Sequence, residues 1–251
     1  MLVDRKCIRF GKCVESCTLE AITLDNSGRK VDWQKCNQCM DCAAKCPSGA
    51  IEAVGRYFTV EEVVSEVEKD RLFYQNSGGG VSLSGGEPLL QWVFALNLLK
   101  ECKVRNLHTT LDTSGYASWD VMDRVIEYVD LVLYDIKQMD STKHKVLTGV
   151  TNDLILDNAE RVSRKVTTWI RYTVVPGYNT SASDIENAAR FAAKLTIEKV
   201  SLLPYHRMGV QKFKGLGRTY RLSRILPPTL EFLESIQKVF ESFGLKVTIN
   251  N

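Results

Sequence analysis

The stretch DLVLYDIK, residues 130–137, runs through Leu131, Val132, Leu133 and Tyr134 and then ends on Asp135 and Lys137 around Ile136. A short apolar run of this kind fits a strand covered on both faces, as in a parallel sheet. Charge at its end is unexpected in a core and marks the end as a place where something binds. Working outward, the same reading predicts strands near 80–84, 108–112, 131–136, 168–175, 199–204 and 246–250. Helices are expected between most of them, near 89–101, 119–129, 153–164, 184–195 and 228–242. Thr59 with Glu62 forms a capping box ahead of the helical pattern VEEVVSEVEKDRLF, and Ser183 with Glu186 offers another. Alternating strands and helices imply an α/β protein with a parallel sheet, either an open doubly wound sheet or a barrel.

Polar and glycine residues recur at the carboxyl ends of these strands: Ser84-Gly85-Gly86-Glu87-Pro88, Asp112-Thr113-Ser114-Gly115, Asp135-Ile136-Lys137, Pro176-Gly177 and Tyr205-His206. Any one of these is ordinary turn chemistry. Five in register fall on the edge where parallel sheets and barrels bind ligands. An edge holding two Asp, one Glu, one Lys and one His suits a zwitterionic ligand, with or without a bound cation.

The 251 residues carry 44% apolar side chains, enough for a real core, and 33 basic against 30 acidic residues, for a net charge of +3. That balance gives no reason to expect nucleic acid or a membrane surface as partner. No run of eighteen apolar residues occurs, and residues 1–10 are charged where a secretory signal is apolar, so a cytoplasmic protein is expected.

Seven of the eight cysteines lie between Cys7 and Cys46. In a reducing compartment this clustering argues for metal ligation over disulfides. The run CNQCMDCAAKCP supplies Cys36, Cys39, Cys42 and Cys46 followed by proline, the spacing of a bacterial-type iron–sulfur motif. Zinc is the plainer alternative for thiolates at CxxC spacing. Upstream, CIRFGKCVESCT repeats the register with Cys7, Cys13 and Cys17, and the two runs share the tails LEAI and SGAI. In such repeats the last cysteine of each run serves the other cluster. One [4Fe–4S] cluster would then take Cys36, Cys39, Cys42 and Cys17, and the second Cys7, Cys13 and Cys46. Phe10 stands where the second cluster needs its fourth ligand, and Thr18 replaces the proline. That cluster is three-iron, four-iron with a non-protein ligand, or absent.

The succession GGGVSLSGGEPLLQ, DTSGY, DLVLYDIKQMD, WIRYTVVPGYN and LLPYHRMGVQKFKGLG resembles the motifs of glycyl-radical-enzyme activating enzymes in the radical S-adenosylmethionine superfamily. The resemblance implies a partial (βα) barrel of the radical SAM type over residues 56–251, with a ferredoxin-like iron–sulfur module over residues 1–55. It implies S-adenosylmethionine as cofactor, cleaved reductively at a [4Fe–4S] cluster so that a 5′-deoxyadenosyl radical takes a hydrogen atom from a glycine of the partner, a glycyl radical enzyme. A flavodoxin or ferredoxin would donate the electron. Carried onto this chain, Gly85, Gly86 and Glu87 would meet the methionine amino group, and Asp112 and Asp135 would lie near its carboxylate and a monovalent cation. Lys137, Arg171 and His206 match further cofactor positions. The family's CxxxCxxC, which holds the radical-generating cluster, does not occur here. The chain therefore resembles the family without its first strand and cluster loop, and as given is expected not to cleave the cofactor. An electron-transfer protein with a vestigial barrel and a degenerate fragment are the competing readings. Cys102 is expected to be a plain helix residue, and residues 206–220 a solvated loop.

Overall fold

The computed structural model describes residues 1–26 and 28–250, and in it the two cysteine runs fold as copies of each other. Helix α1 (Lys12–Glu15) lies within the first run, and a two-stranded antiparallel sheet, β1 (Ile22–Asp25) and β2 (Gly28–Val31), lies between the runs. Helix α2 (Asp41–Ala44) repeats α1 in the second run. With Cys7 set on Cys36, left-handed backbone at Arg9, Gly11 and Glu20 recurs at Gln38, Met40 and Gly49. Phe10 then falls on Cys39, so the change from Cys to Phe is a substitution within an intact repeat. Cys13, Ile22 and Ile51 form this unit's core, with Leu2, Val31, Cys17, Cys42 and Cys46 packed against it.

The larger unit begins with α3 (Val60–Val67), held by the Thr59–Glu62 capping box, and α4 (Arg71–Ser77). Six strands follow: β3 (Val81–Leu83), β4 (Thr109–Thr113), β5 (Leu131–Ile136), β6 (Thr167–Val174), β7 (Lys199–Pro204) and β8 (Val247–Ile249). All five pairings are parallel and the strands lie in chain order. A doubly wound sheet reverses its order at a switch point. This sheet does not, so it is singly wound, the arrangement of a partial barrel. Helices α5 (Trp92–Val104), α6 (Trp119–Ile126), α7 (Ser141–Thr148), α8 (Asp153–Ser163), α9 (Ala182–Ala192) and α11 (Leu230–Ser242) connect or follow the strands. Val132, Tyr134 and Ile136 of β5 and Ile170, Tyr172 and Val174 of β6 pack in one core with Met122, Val125, Ala159, Val162 and Phe240 from the helices. The alternate side chains, including Asp135 and Arg171, face the other way.

Two expectations are corrected. Ser181, not Ser183, caps α9, accepting from the Asp184 N–H at 3.2 Å, and Glu186 pairs with Arg190 instead. Residues 206–220 are not a free loop: they contain α10 (Gly209–Gly215), and Leu2 N–H donates to the Gly215 carbonyl at 2.7 Å. The chain accordingly divides into Met1–Tyr57 with His206–Ile225, and Phe58–Tyr205 with the remainder. Helix α7 has no counterpart in the sequence reading. Among the described residues no helix is long and apolar enough to cross a membrane.

Candidate functional site

The carboxyl ends of β4, β5 and β6 bring three charged side chains into one network. Arg171 sits opposite Asp135 in the β5–β6 register and reaches across β5 to Asp112 on β4. Its Nε donates to Asp135 Oδ1 at 2.9 Å and its Nη1 to Asp112 Oδ2 at 3.0 Å, while Nη2 bonds Asp112 Oδ1. Lys137 Nζ donates to Asp135 Oδ2 at 2.9 Å, and Ser84 Oγ to Asp112 Oδ2 at 2.9 Å. Burial works against the charge on Arg171, but Asp135 and Asp112 outweigh it and hold the guanidinium above its ordinary pKa.

The glycine-rich turn after β3 is fixed to this edge by Glu87. Its Oε1 accepts from Thr113 Oγ1 at 2.7 Å and the Leu89 N–H at 3.2 Å. Its Oε2 accepts from the Ser114 N–H at 2.8 Å and Ser114 Oγ at 2.6 Å. Four donors occupy the carboxylate, so it clips the β3 turn to the β4 turn. Gly85, with φ at +133°, takes a backbone shape that side chains rarely adopt. Gly115 is required for space as well, since a Cβ there would stand 1.7 Å from Tyr134 Oη. Asn158 Nδ2 holds the same turn through the carbonyls of Gly115 and Ala117, at 2.9 and 2.8 Å.

The seven clustered cysteines, all free thiols, line two cavities in the smaller unit. Cys17, Cys36, Cys39 and Cys42 line one of about 370 Å³, with Trp33, Ile51 and Leu216. Cys7, Cys13 and Cys46 line the second, together with Phe10 and Arg29. Burial raises the Cys42 thiol, the Ala43 N–H opposes this, and Cys36, Cys39 and Cys17 add to the rise. For Cys46, burial also acts upward, but hydrogen bonds from the Ile51 N–H, the Ser48 hydroxyl and the Ala50 and Ser48 N–H groups outweigh it and hold the thiol below its usual value. The Ala21 N–H donates to Cys17 Sγ at 3.3 Å. Among the described residues, no three His, Cys, Asp or Glu side chains converge as a single metal ion would need. The thiols instead stand around cavity walls, four and three.

The sequence pattern of the radical SAM superfamily matches residues 36–192. The chain belongs to that superfamily. Isethionate sulfite-lyase activating enzyme of Oleidesulfovibrio alaskensis is 44% identical over 226 residues, which is 88% of this chain and 72% of the relative. Pyruvate formate-lyase 1-activating enzyme of Escherichia coli is 39% identical over 197 residues, 77% of this chain and 80% of the relative. A crystal structure of a domain of pyruvate-formate lyase-activating enzyme from Bacteroides vulgatus matches with a TM-score of 0.59 at 33% identity, over 69% of this chain and 99% of that one. These relatives are activating enzymes of glycyl radical enzymes, which favours that ancestry over a free-standing electron-transfer protein.

In this radical SAM chain the structure brings Gly85, Gly86, Glu87, Asp112, Asp135, Lys137 and Arg171 to one edge of one unit. His206 falls in the smaller unit with α10. Sequence reasoning missed Asn179, 1% exposed, whose Nδ2 donates to the carbonyls of Lys137 at 2.8 Å and Thr173 at 2.6 Å. It ties the end of β6 to the end of β5. Its signal was its place at the close of VVPGYN, just past a strand. Cys102 is fully buried in α5, where burial raises its thiol.

Proposed function

We infer that this chain is the activating partner of a glycyl radical enzyme and that the β3–β6 edge binds S-adenosylmethionine. The observation that carries this is the charge of the edge. Asp112 and Asp135 pair with Arg171 and Lys137, and Glu87 adds a third carboxylate to the same edge, so three negative groups against two positive leave one net negative charge. S-adenosylmethionine, with a sulfonium, an ammonium and a carboxylate, carries one net positive charge. When bound, it and an iron–sulfur cluster supply one-electron reductive cleavage and removal of a hydrogen atom from the partner's glycine. The residues here bind and orient: Asp135 and Asp112 set the potential for the cation, Arg171 fixes both, and the Gly85-Gly86 turn leaves backbone open for close approach.

The cysteine set fits ferredoxin-type clusters. Cys17, Cys36, Cys39 and Cys42 would hold one [4Fe–4S] cluster and Cys7, Cys13 and Cys46 a second with an open ligand position. Their division between two cavities is what an exchange of the last cysteine of each run requires. The 251 residues contain no CxxxCxxC, so the clusters these thiols would hold are read as electron carriers, fed by a flavodoxin or ferredoxin.

Equilibrium dialysis tests the cofactor reading. S-adenosylmethionine should bind about tenfold more tightly than S-adenosylhomocysteine, which lacks the sulfonium charge, a difference of about 1.4 kcal/mol. Asp135→Asn should erase that preference. Equal affinities in the parent chain would sink the reading.

A further inference from the structure

One buried cation of the smaller unit has no role in the reading above. Arg29 stands on β2 with its side chain 2% exposed. Its Nη2 donates to the Ala50 carbonyl at 2.8 Å and lies 3.5 Å from Oδ1 of the exposed Asp4. Its Nε, buried as well, has no hydrogen-bond partner among the described residues. A guanidinium cannot shed its proton, so this N–H stays a donor and its charge is permanent. Leaving such a group unpaired in a protein interior is costly enough that native structures avoid it. The cavity that Arg29 lines is the one walled by Cys7, Cys13 and Cys46. Arg9 and Lys12 also line it, but both are exposed. On the Cys13 thiol, burial is the largest influence and acts upward, and the Arg29 charge is the largest influence opposing it.

We propose that Arg29 is the cationic partner of the iron–sulfur cluster held by Cys7, Cys13 and Cys46, with its Nε–H donating to a sulfur of that cluster. This rests on the reading of those three cysteines as cluster ligands and adds a residue that no thiol spacing reveals. A fixed positive charge and a hydrogen bond to sulfur both favour the reduced cluster, and so raise its reduction potential. The four-cysteine cavity includes a basic residue too, Arg218, but that side chain belongs to an exposed residue. The two clusters would therefore differ in potential because one is backed by a buried cation, in addition to the difference made by Phe10.

The test uses the full chain, reconstituted anaerobically with iron and sulfide, in a redox titration followed by electron paramagnetic resonance. Arg29→Met should shift the reduction equilibrium of the three-cysteine cluster at least tenfold toward the oxidised form, about 59 mV for one electron. Arg29→Lys, which keeps the charge, should recover most of that shift. The other cluster should keep its midpoint and serves as the reference within the same sample. Loss of the three-cysteine cluster in Arg29→Met but not in Arg29→Lys also supports the proposal, since Arg29→Lys keeps a cationic N–H donor and Arg29→Met keeps neither charge nor donor. An unchanged midpoint in Arg29→Met overturns it, as does an equal shift in both clusters. Loss of iron from both variants assigns Arg29 to its Ala50 bond and overturns it too. A parent chain with iron for one cluster and no second signal would remove the cluster reading itself, and the proposal with it.

Discussion

Removing the guanidinium of Arg171 tests how the ligand edge is held together. Asp112, Asp135 and Arg171 have side chains 20%, 18% and 19% exposed, so little water screens the two carboxylates once the cation is gone. Breaking a buried ion pair by deleting one partner costs about 3–5 kcal/mol. Residual exposure, and Lys137 at 2.9 Å from Asp135, reduce the expected deficit of Arg171→Met to about 2–4 kcal/mol. At about 2–4 °C per kcal/mol for a chain of this size, a 3 kcal/mol loss lowers the melting temperature by roughly 6–12 °C. Thermal unfolding by circular dichroism at pH 7.5 measures it. A double variant separates electrostatics from lost packing. Adding Asp112→Asn to Arg171→Met should recover about 1 kcal/mol or more, because it removes the repulsion that the first change exposes. A variant melting within 2 °C of the parent, or a double variant weaker than Arg171→Met alone, would refute the reasoning.

Glu87→Gln places an amide N–H₂ among four donors, and should cost about 2–3 kcal/mol in urea unfolding and weaken S-adenosylmethionine binding by loosening the Gly85-Gly86 turn. Burial alone would raise the Asp184 carboxyl, but hydrogen bonds from Ser181, Lys143 and Gln138 outweigh it and hold it below the usual range. A lowered carboxyl gives stability that is present above the unfolded value of about 3.9 and is lost as pH falls through the folded one. Asp184→Asn should therefore cost about 1–3 kcal/mol at neutral pH and progressively less below pH 4, measured by urea unfolding across pH. Cys39→Ala should abolish the intact four-iron signal while Cys102→Ala leaves iron content unchanged, and Phe10→Cys should raise the iron content of the second cluster. Stoichiometric zinc in a colourless, anaerobically purified protein would end the iron–sulfur reading.

The ligand edge was legible wherever charge broke an apolar pattern. Asp135 and Lys137 end a buried strand, and no core accounts for them, so they announced themselves. Asn179 did not, because an asparagine after a Pro-Gly turn reads as turn chemistry until the fold brings the Lys137 carbonyl to its side chain. The α9 cap shows the same limit at short range. Ser181 and Ser183 both offer a hydroxyl, but Asp184, three residues after Ser181, donates its N–H to Ser181 Oγ at 3.2 Å and accepts from that hydroxyl through Oδ2 at 2.6 Å. Residues 206–220 were opaque for a different reason. Their lysines, arginines and glycines have the composition of a solvated loop, and only tertiary contact with Leu2 shows that the backbone is used. Helix α7, STKHKVLT, presents one buried residue, His144, so it carries almost no periodic signal.

At the ligand edge every carboxylate oxygen already has a donor, and the exposures rank which contact a ligand can exchange at least cost. Glu87 is saturated by four bonds from its own turn and the next one, so freeing it would undo the link between β3 and β4. Arg171 spans three strands, and displacing it would leave Asp112 and Asp135 facing each other. Lys137 is different. It holds Asp135 through a single bond between residues two apart, and its side chain is 37% exposed, so water can take over its three protons when it swings away. An incoming cation can thus replace Lys137 at Asp135 Oδ2 without altering the number of charges facing that carboxylate. The displaced ammonium remains within reach of a ligand carboxylate. A neutral ligand could return a hydrogen bond to Asp135 Oδ2 but not the positive charge that Lys137 takes away. This exchange at the weakest internal bond is how the edge we propose for S-adenosylmethionine would favour a zwitterion.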